Sequence, residues 1–170
     1  VERATALCAA AAQGETCTVA NDNDPSQVVI SGHKVAIERA VALVKDFEIK
    51  RGVMLNVSAP FHCPLMQPAA DAMAGALAEN PPAAPIMPLY ANVTAAPVID
   101  PATIVVQLVE QVTGRVRWRE TIANMAAAGV TEFVEIGGKV LTPMVKRIAP
   151  DANAISVVTM GDIEALLKGV

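Results

Sequence analysis

Three cysteines, Cys8, Cys17 and Cys63, are all this chain holds among 170 residues. They are an odd number with no CxxC and no Cys/His ligand spacing, which excludes a disulfide framework and a zinc site and suggests a reduced, cytoplasmic compartment. No apolar run approaches the roughly 18 residues that a membrane span needs. Positive charge is also short: the formal net charge is −4 and the isoelectric point about 5.1, which argues against nucleic acid as a partner. Aromatics make up only 3% of the chain. Serine occurs four times, as Ser26, Ser31, Ser58 and Ser156, and never within GxSxG. HExxH, EF-hand and GxGxxG patterns are missing too. The opening VERATALCAAAAQ carries Glu2 and Arg3 and does not read as a signal peptide.

What is present is apolar aliphatic surface: 53% of residues are hydrophobic, enough for one sizeable core and far too much for a disordered chain. Residues 1–13 read as a helix stopped at Gly14. TCTVAND (16–22) and QVVISG (27–32) read as a hairpin around an Asp-Asn-Asp-Pro-Ser turn. Residues 33–47 place Val35, Ile37, Ala40, Val41 and Val44 mostly along one helical face. VMLNVS (53–58) reads as a buried strand. The order α-β-β-α-β is that of a ferredoxin-like βαββαβ unit without its first strand, so the chain is expected to begin inside a domain. Beyond Ala59-Pro60, helices are expected at 66–79, from an Asp100-Pro101 cap to Thr113, at 118–128, 141–148 and 161–169. Strands are expected at 86–93, 131–136 and 154–158. Strands alternating with helices predict a mostly parallel sheet, with a boundary between 1–58 and 59–170.

The stretch VMLNVSAPFHCPLM (53–66) carries the most chemistry. His62 follows a strand and sits in a loop stiffened by Pro60 and Pro64, where α/β folds present catalytic groups. Histidine there suits a general base near neutral pH, although a packed or surface histidine satisfied by backbone groups is the plainer reading of the residue type alone. Cys63, its neighbour, reads as a small buried packing residue rather than a nucleophile. His33 reads as an exposed residue of a first helical turn. Gly137-Gly138-Lys139 lacks the P-loop pattern and fits a tight turn. Arg115, Arg117 and Arg119 suit a solvated helix start, with an acidic partner as the alternative. A histidine base without an elbow serine is half of a catalytic machine.

NDNDPSQVVISGHKVAIERA, SAPFHCPLMQPAAD, YANVTA, EQVTGRVRW and VEIGGKVLTPMVKR, in that order, resemble the C-terminal half of the malonyl-CoA:acyl carrier protein transacylase family. The resemblance implies a ferredoxin-like α+β subdomain (1–58) followed by the C-terminal part of an α/β-hydrolase-like parallel-sheet subdomain (59–170). It implies malonyl transfer from malonyl-CoA to the phosphopantetheine thiol of acyl carrier protein in fatty-acid synthesis, by a serine–histidine ping-pong mechanism without a cofactor. His62 would be the base and the Gln111 carbonyl its orienting group. Asn21, Asn23 and Gln27 would lie near the substrate cleft, and Phe61 would limit room for an α-methyl substituent. The elbow serine and the substrate-carboxylate arginine would lie upstream of residue 1, on a missing N-terminal portion. The resemblance also leaves two alternatives: a polyketide synthase acyltransferase domain, and a stand-alone module that binds a carrier protein or small ligand without catalysis.

Overall fold

The alanine-rich opening forms helix α1 (Glu2–Ala12), which ends as Gln13 and Gly14 turn left-handed. Strands β1 (Cys17–Asp24) and β2 (Gln27–Gly32) pair antiparallel with Val19 opposite Ile30, and Pro25-Ser26 form the turn. Helix α2 (Lys34–Leu43) follows. Leu7, Cys8, Ala11, Cys17, Ala36 and Ala40 are buried together, with Val19, Ile30, Ile37 and Phe47 packed against them. Burial pushes the Cys8 thiol up to about 12 and that of Cys17 upward as well, so both behave as small apolar groups. Val35, expected on the buried face, is exposed instead, and Ala36 and Ala40 line the contact.

Two expectations fail here. Residues 53–58 form no strand, and Val53, Met54, Leu55 and Val57 are all more than 40% exposed. A strand needs a neighbour to receive its N–H and C=O groups, and none lies beside this segment among the described residues. The first 58 residues therefore hold a two-stranded hairpin under two helices, not a three-stranded sheet. The expected 86–93 strand is also cut short, although the longest strand pair beyond residue 59 is parallel as expected. The 86–93 segment yields only β3 (Leu89–Tyr90), paired antiparallel with β4 (Pro97–Val98). Pro85 and Pro88 have no N–H to offer a longer ladder, and Ile86 remains 95% exposed.

The structure, a computed structural model, describes residues 1–168 and has an α/β fold. After β2 and α2, a single 3₁₀ turn (Pro64–Met66) leads into α3 (Gln67–Glu79), which packs on α4 (Pro101–Thr113). Asp100 caps α4 through its carboxylate, which accepts from Thr103 N–H at 2.7 Å. Helix α5 (Trp118–Ala127), strand β5 (Glu132–Ile136), helix α6 (Leu141–Ile148), strand β6 (Asn153–Val157) and helix α7 (Met160–Lys168) complete the order, with β5 and β6 parallel. Gly169 of the expected last helix lies outside the described residues. Ile122, Val145 and Ala154 form a second buried cluster with Trp118 and Phe133. Among the described residues no helix is long and apolar enough to cross a membrane.

Candidate active site

The loop from Ala59 to Cys63 is fixed at its end by Cys63, which is fully buried and whose Sγ–H donates to the Pro60 carbonyl at 3.1 Å. Pro64 then starts the 3₁₀ turn, whose residues pack on α4. Between these anchors His62 adopts φ 57°, a left-handed conformation that is uncommon for a residue with a Cβ. Such strain costs on the order of 1 kcal/mol and collects at functional sites.

That backbone turn brings the imidazole to the last turn of α4. Nδ1 of His62 lies 2.9 Å from the carbonyl oxygen of Gln111. A carbonyl only accepts, so Nδ1 carries the proton and Nε2 of the neutral ring is left with its lone pair. Nε2 makes no hydrogen bond among the described residues. The side chain of Gln111 has its own partner: its Oε1 accepts from Asn92 Nδ2 at 2.7 Å. A cleft of about 180 Å³ opens beside them, lined by Tyr90, Asn92, Ile104, Gln107, Leu108 and Gln111. Phe61, next to the histidine, is 48% exposed.

The other polar candidates sit on the hairpin. Asn21 and Asn23 are half-buried and Gln27 is exposed opposite Asp24, and no hydrogen bond joins any of them to His62 among the described residues. Between them Asp22 and Asp24 are the residues that turn inward, 1% and 0% exposed. Asp22 takes the guanidinium of Arg119 in a fork, and Asp24 that of Arg147 at 2.7 and 3.0 Å. Burial alone would raise the Asp24 carboxyl, but hydrogen bonds from Ser26 and Arg147 outweigh it and hold it below the usual range. The arginine triplet is thus no solvated row awaiting an outside acid. Arg119 meets Asp22, while Arg115 and Arg117 share Glu120.

Asp22, Asp24 and Asn92 escape a reading by local spacing, although period-two alternation through NDND would have put both aspartates on one face of the strand. His33 is exposed, and its Nδ1 accepts from Thr16 N–H at 2.9 Å. Gly137 adopts φ 90° at the turn that leaves β5. Glu135, on β5 just before that turn, caps α6, accepting from the N–H groups of Val140, Leu141 and Thr142 and from the Thr142 hydroxyl. These bonds overcome burial and hold the Glu135 carboxyl at about 2.

Residues 1–160 match the acyl transferase domain family. The chain is 41% identical over 160 residues to a malonyl CoA-acyl carrier protein transacylase of Haemophilus influenzae, covering 94% of this chain and 51% of that protein. An acyl-carrier-protein-S-malonyltransferase structure from Bartonella henselae matches with a TM-score of 0.94 at 50% identity, over 99% of this chain and 55% of that one. A malonyl-transacylase solved in complex with its type II PKS acyl-carrier protein matches with a TM-score of 0.95 at 37% identity, over 100% of this chain and 55% of that one. The chain spans about half the length of the curated relatives it matches. It belongs to the acyl transferase domain family.

Proposed function

We propose that this chain supplies the base of a malonyl-CoA:acyl carrier protein transacylase of fatty-acid synthesis, a cytoplasmic enzyme that needs no cofactor. The observation that supports this reading best is the 2.9 Å contact from His62 Nδ1 to the Gln111 carbonyl, which leaves Nε2 free to take a proton. In the first half-reaction Nε2 removes the proton of a serine hydroxyl as its oxygen attacks the malonyl thioester. The C–S bond then breaks, and the imidazolium returns the proton to the departing CoA sulfur. In the second half-reaction the phosphopantetheine thiol gives its proton to Nε2 and attacks the malonyl-serine ester, and the serine oxygen is reprotonated. None of the four serines of this chain hydrogen-bonds to His62 among the described residues, and in this reading the nucleophile belongs to a part of the enzyme other than these 170 residues.

In this reading residues 1–58 are part of a ferredoxin-like subdomain and 59–170 part of an α/β-hydrolase-like one. Asn21, Asn23 and Gln27 border the substrate cleft, and Phe61 crowds the malonyl α-carbon. Relatives named as transacylases and one solved with an acyl-carrier protein support the substrate and the partner. A binding module without catalysis is the second reading, favoured by the absence, among the described residues, of a serine hydrogen-bonded to His62. One experiment separates the two: the protein as isolated from its source is given labelled malonyl-CoA and holo acyl carrier protein. Label on the phosphopantetheine thiol, with ping-pong kinetics, is the expected result. Carrier-protein binding without transfer of label would establish the module instead.

A further inference from the structure

Asp22 grips the connection between α4 and α5 with both its main chain and its side chain. Its N–H donates to the Val116 carbonyl at 2.8 Å, while Val116 N–H donates to the Ala20 carbonyl at 2.8 Å. Its carboxylate accepts from Arg119, at the start of α5, with Nε 2.9 Å from Oδ1 and Nη2 2.8 Å from Oδ2. Such a fork fixes orientation as well as distance. Residues 114–119 are therefore held at both their middle and their end.

The same segment governs where Gln111 sits. Gly114 closes α4 through its N–H on the Glu110 carbonyl at 2.9 Å. A Cβ there would lie 2.8 Å from both that carbonyl oxygen and Val93 Cγ1, so the helix exit is tightly enclosed. Arg117 N–H donates to the Asn92 carbonyl at 3.1 Å, and its guanidinium donates to the carbonyls of Val93 and Thr94 at 3.1 and 3.3 Å. Asn92 in turn holds the Gln111 side chain at 2.7 Å. Gln111 is thus braced from its own helix end and from the 92–94 strand exit, and both braces converge on 114–119.

We infer that Asp22 and Arg119 are positioning residues for His62: by fixing segment 114–119 they fix the Gln111 carbonyl that selects the proton-on-Nδ1 tautomer. Neither residue hydrogen-bonds to the imidazole among the described residues. In water a neutral imidazole prefers its proton on Nε2, the tautomer that cannot act as a base from that atom, so the acceptor at Nδ1 must be held in place. The inference rests on the reading of His62 as the base. Asp24 and Arg147 provide the matched comparison. Their pair is as deeply buried on the aspartate side, but Arg147 lies on α6, from which no side-chain hydrogen bond leads to α4 among the described residues.

The test reads the tautomer directly. Two-bond ¹H–¹⁵N correlation spectra of the ¹⁵N-labelled chain, at a pH where imidazole is neutral, distinguish the two forms; His33→Gln assigns the remaining histidine. Wild-type His62 is expected as the Nδ1–H form. Asp22→Asn, and Asp22→Asn with Arg119→Gln, should yield a mixture in which the Nε2–H form reaches half or more in the double variant. Asp24→Asn should leave the wild-type tautomer. In the serine-bearing enzyme, kcat of the Asp22 variants should fall tenfold or more with KM within twofold. The Asp22→Asn spectrum decides the matter even if the double variant does not fold. A wild-type tautomer in Asp22→Asn and in any folded double variant overturns the inference, as does an equal mixture in Asp24→Asn. The spectra stand apart from catalysis, so a protein that transfers no malonyl group would end the proposed activity without deciding this coupling.

Discussion

Replacing Arg147 with methionine leaves the Asp24 carboxylate buried, 0% exposed, with the Ser26 N–H and hydroxyl, each at 2.7 Å, as its remaining partners among the described residues. Removing one partner of a buried ion pair typically costs about 3–5 kcal/mol. Arg147 is itself 47% exposed, so solvent already screens part of the attraction. The Ser26 bonds survive as well, which places the loss near about 2–3 kcal/mol. For a chain of this length about 1 kcal/mol shifts the melting temperature by roughly 2–4 °C, so Arg147→Met should melt about 5–10 °C below wild type at pH 7. Asp24→Asn removes the charge but keeps a polar side chain beside Ser26, and should cost about 1 kcal/mol. The pH dependence follows from the Asp24 carboxyl being held below its ordinary value in the folded chain. The unfolded state then binds the proton more readily, so the pair's stabilisation is complete above the ordinary carboxylate pKa. It disappears as pH falls through the lowered folded value. The gap between wild type and Arg147→Met should therefore narrow in acid. Melting followed by circular dichroism at neutral and acidic pH is the assay. An Arg147→Met variant that melts within a degree or two of wild type at pH 7 would refute the reasoning.

Other outcomes can be checked alongside. Glu135→Gln should lower the melting temperature at pH 7, because three N–H groups at the start of α6 lose a charged acceptor. With the folded carboxyl at about 2, that difference should be full above about pH 4.5 and vanish as the pH approaches 2 in a denaturation series. Gln111→Ala keeps the carbonyl that faces His62 but orphans the Asn92 amide. Transfer rates should stay within a few-fold, because the helix-end brace through Gly114 and segment 114–119 does not use the Gln111 side chain, while urea denaturation shows a loss of about 1 kcal/mol.

Helices with local punctuation are readable from their own residues. Asp100-Pro101 and Gly114 delimit α4, and the hairpin follows from β-branched runs flanking a proline turn. The segment 53–58 has the apolar content of a strand, yet a strand exists only with a partner, and that is not a local property. The same limit applies to the ion pairs. Asp22 and Arg119 are 97 residues apart and Asp24 and Arg147 are 123 apart, so spacing arguments miss both. His62 and Gln111 are separated by 49 residues, and composition alone offered no reason to join them. Their pairing came from the family motifs SAPFHCPLM and EQVTG. The left-handed backbone of His62 and the brace from Asn92 depend on tertiary packing and leave no mark in those motifs.

The central claim is that His62 is a proton acceptor, not a packing group. Rapid-quench measurement of malonyl-enzyme formation, comparing wild type with His62→Ala in the serine-bearing protein, tests it most directly. The expected result is a rate lower by roughly 10²–10⁴-fold, the usual contribution of a positioned acid–base group, with the unfolding midpoint within error of wild type. An undiminished rate of acylation in the folded alanine variant would contradict it.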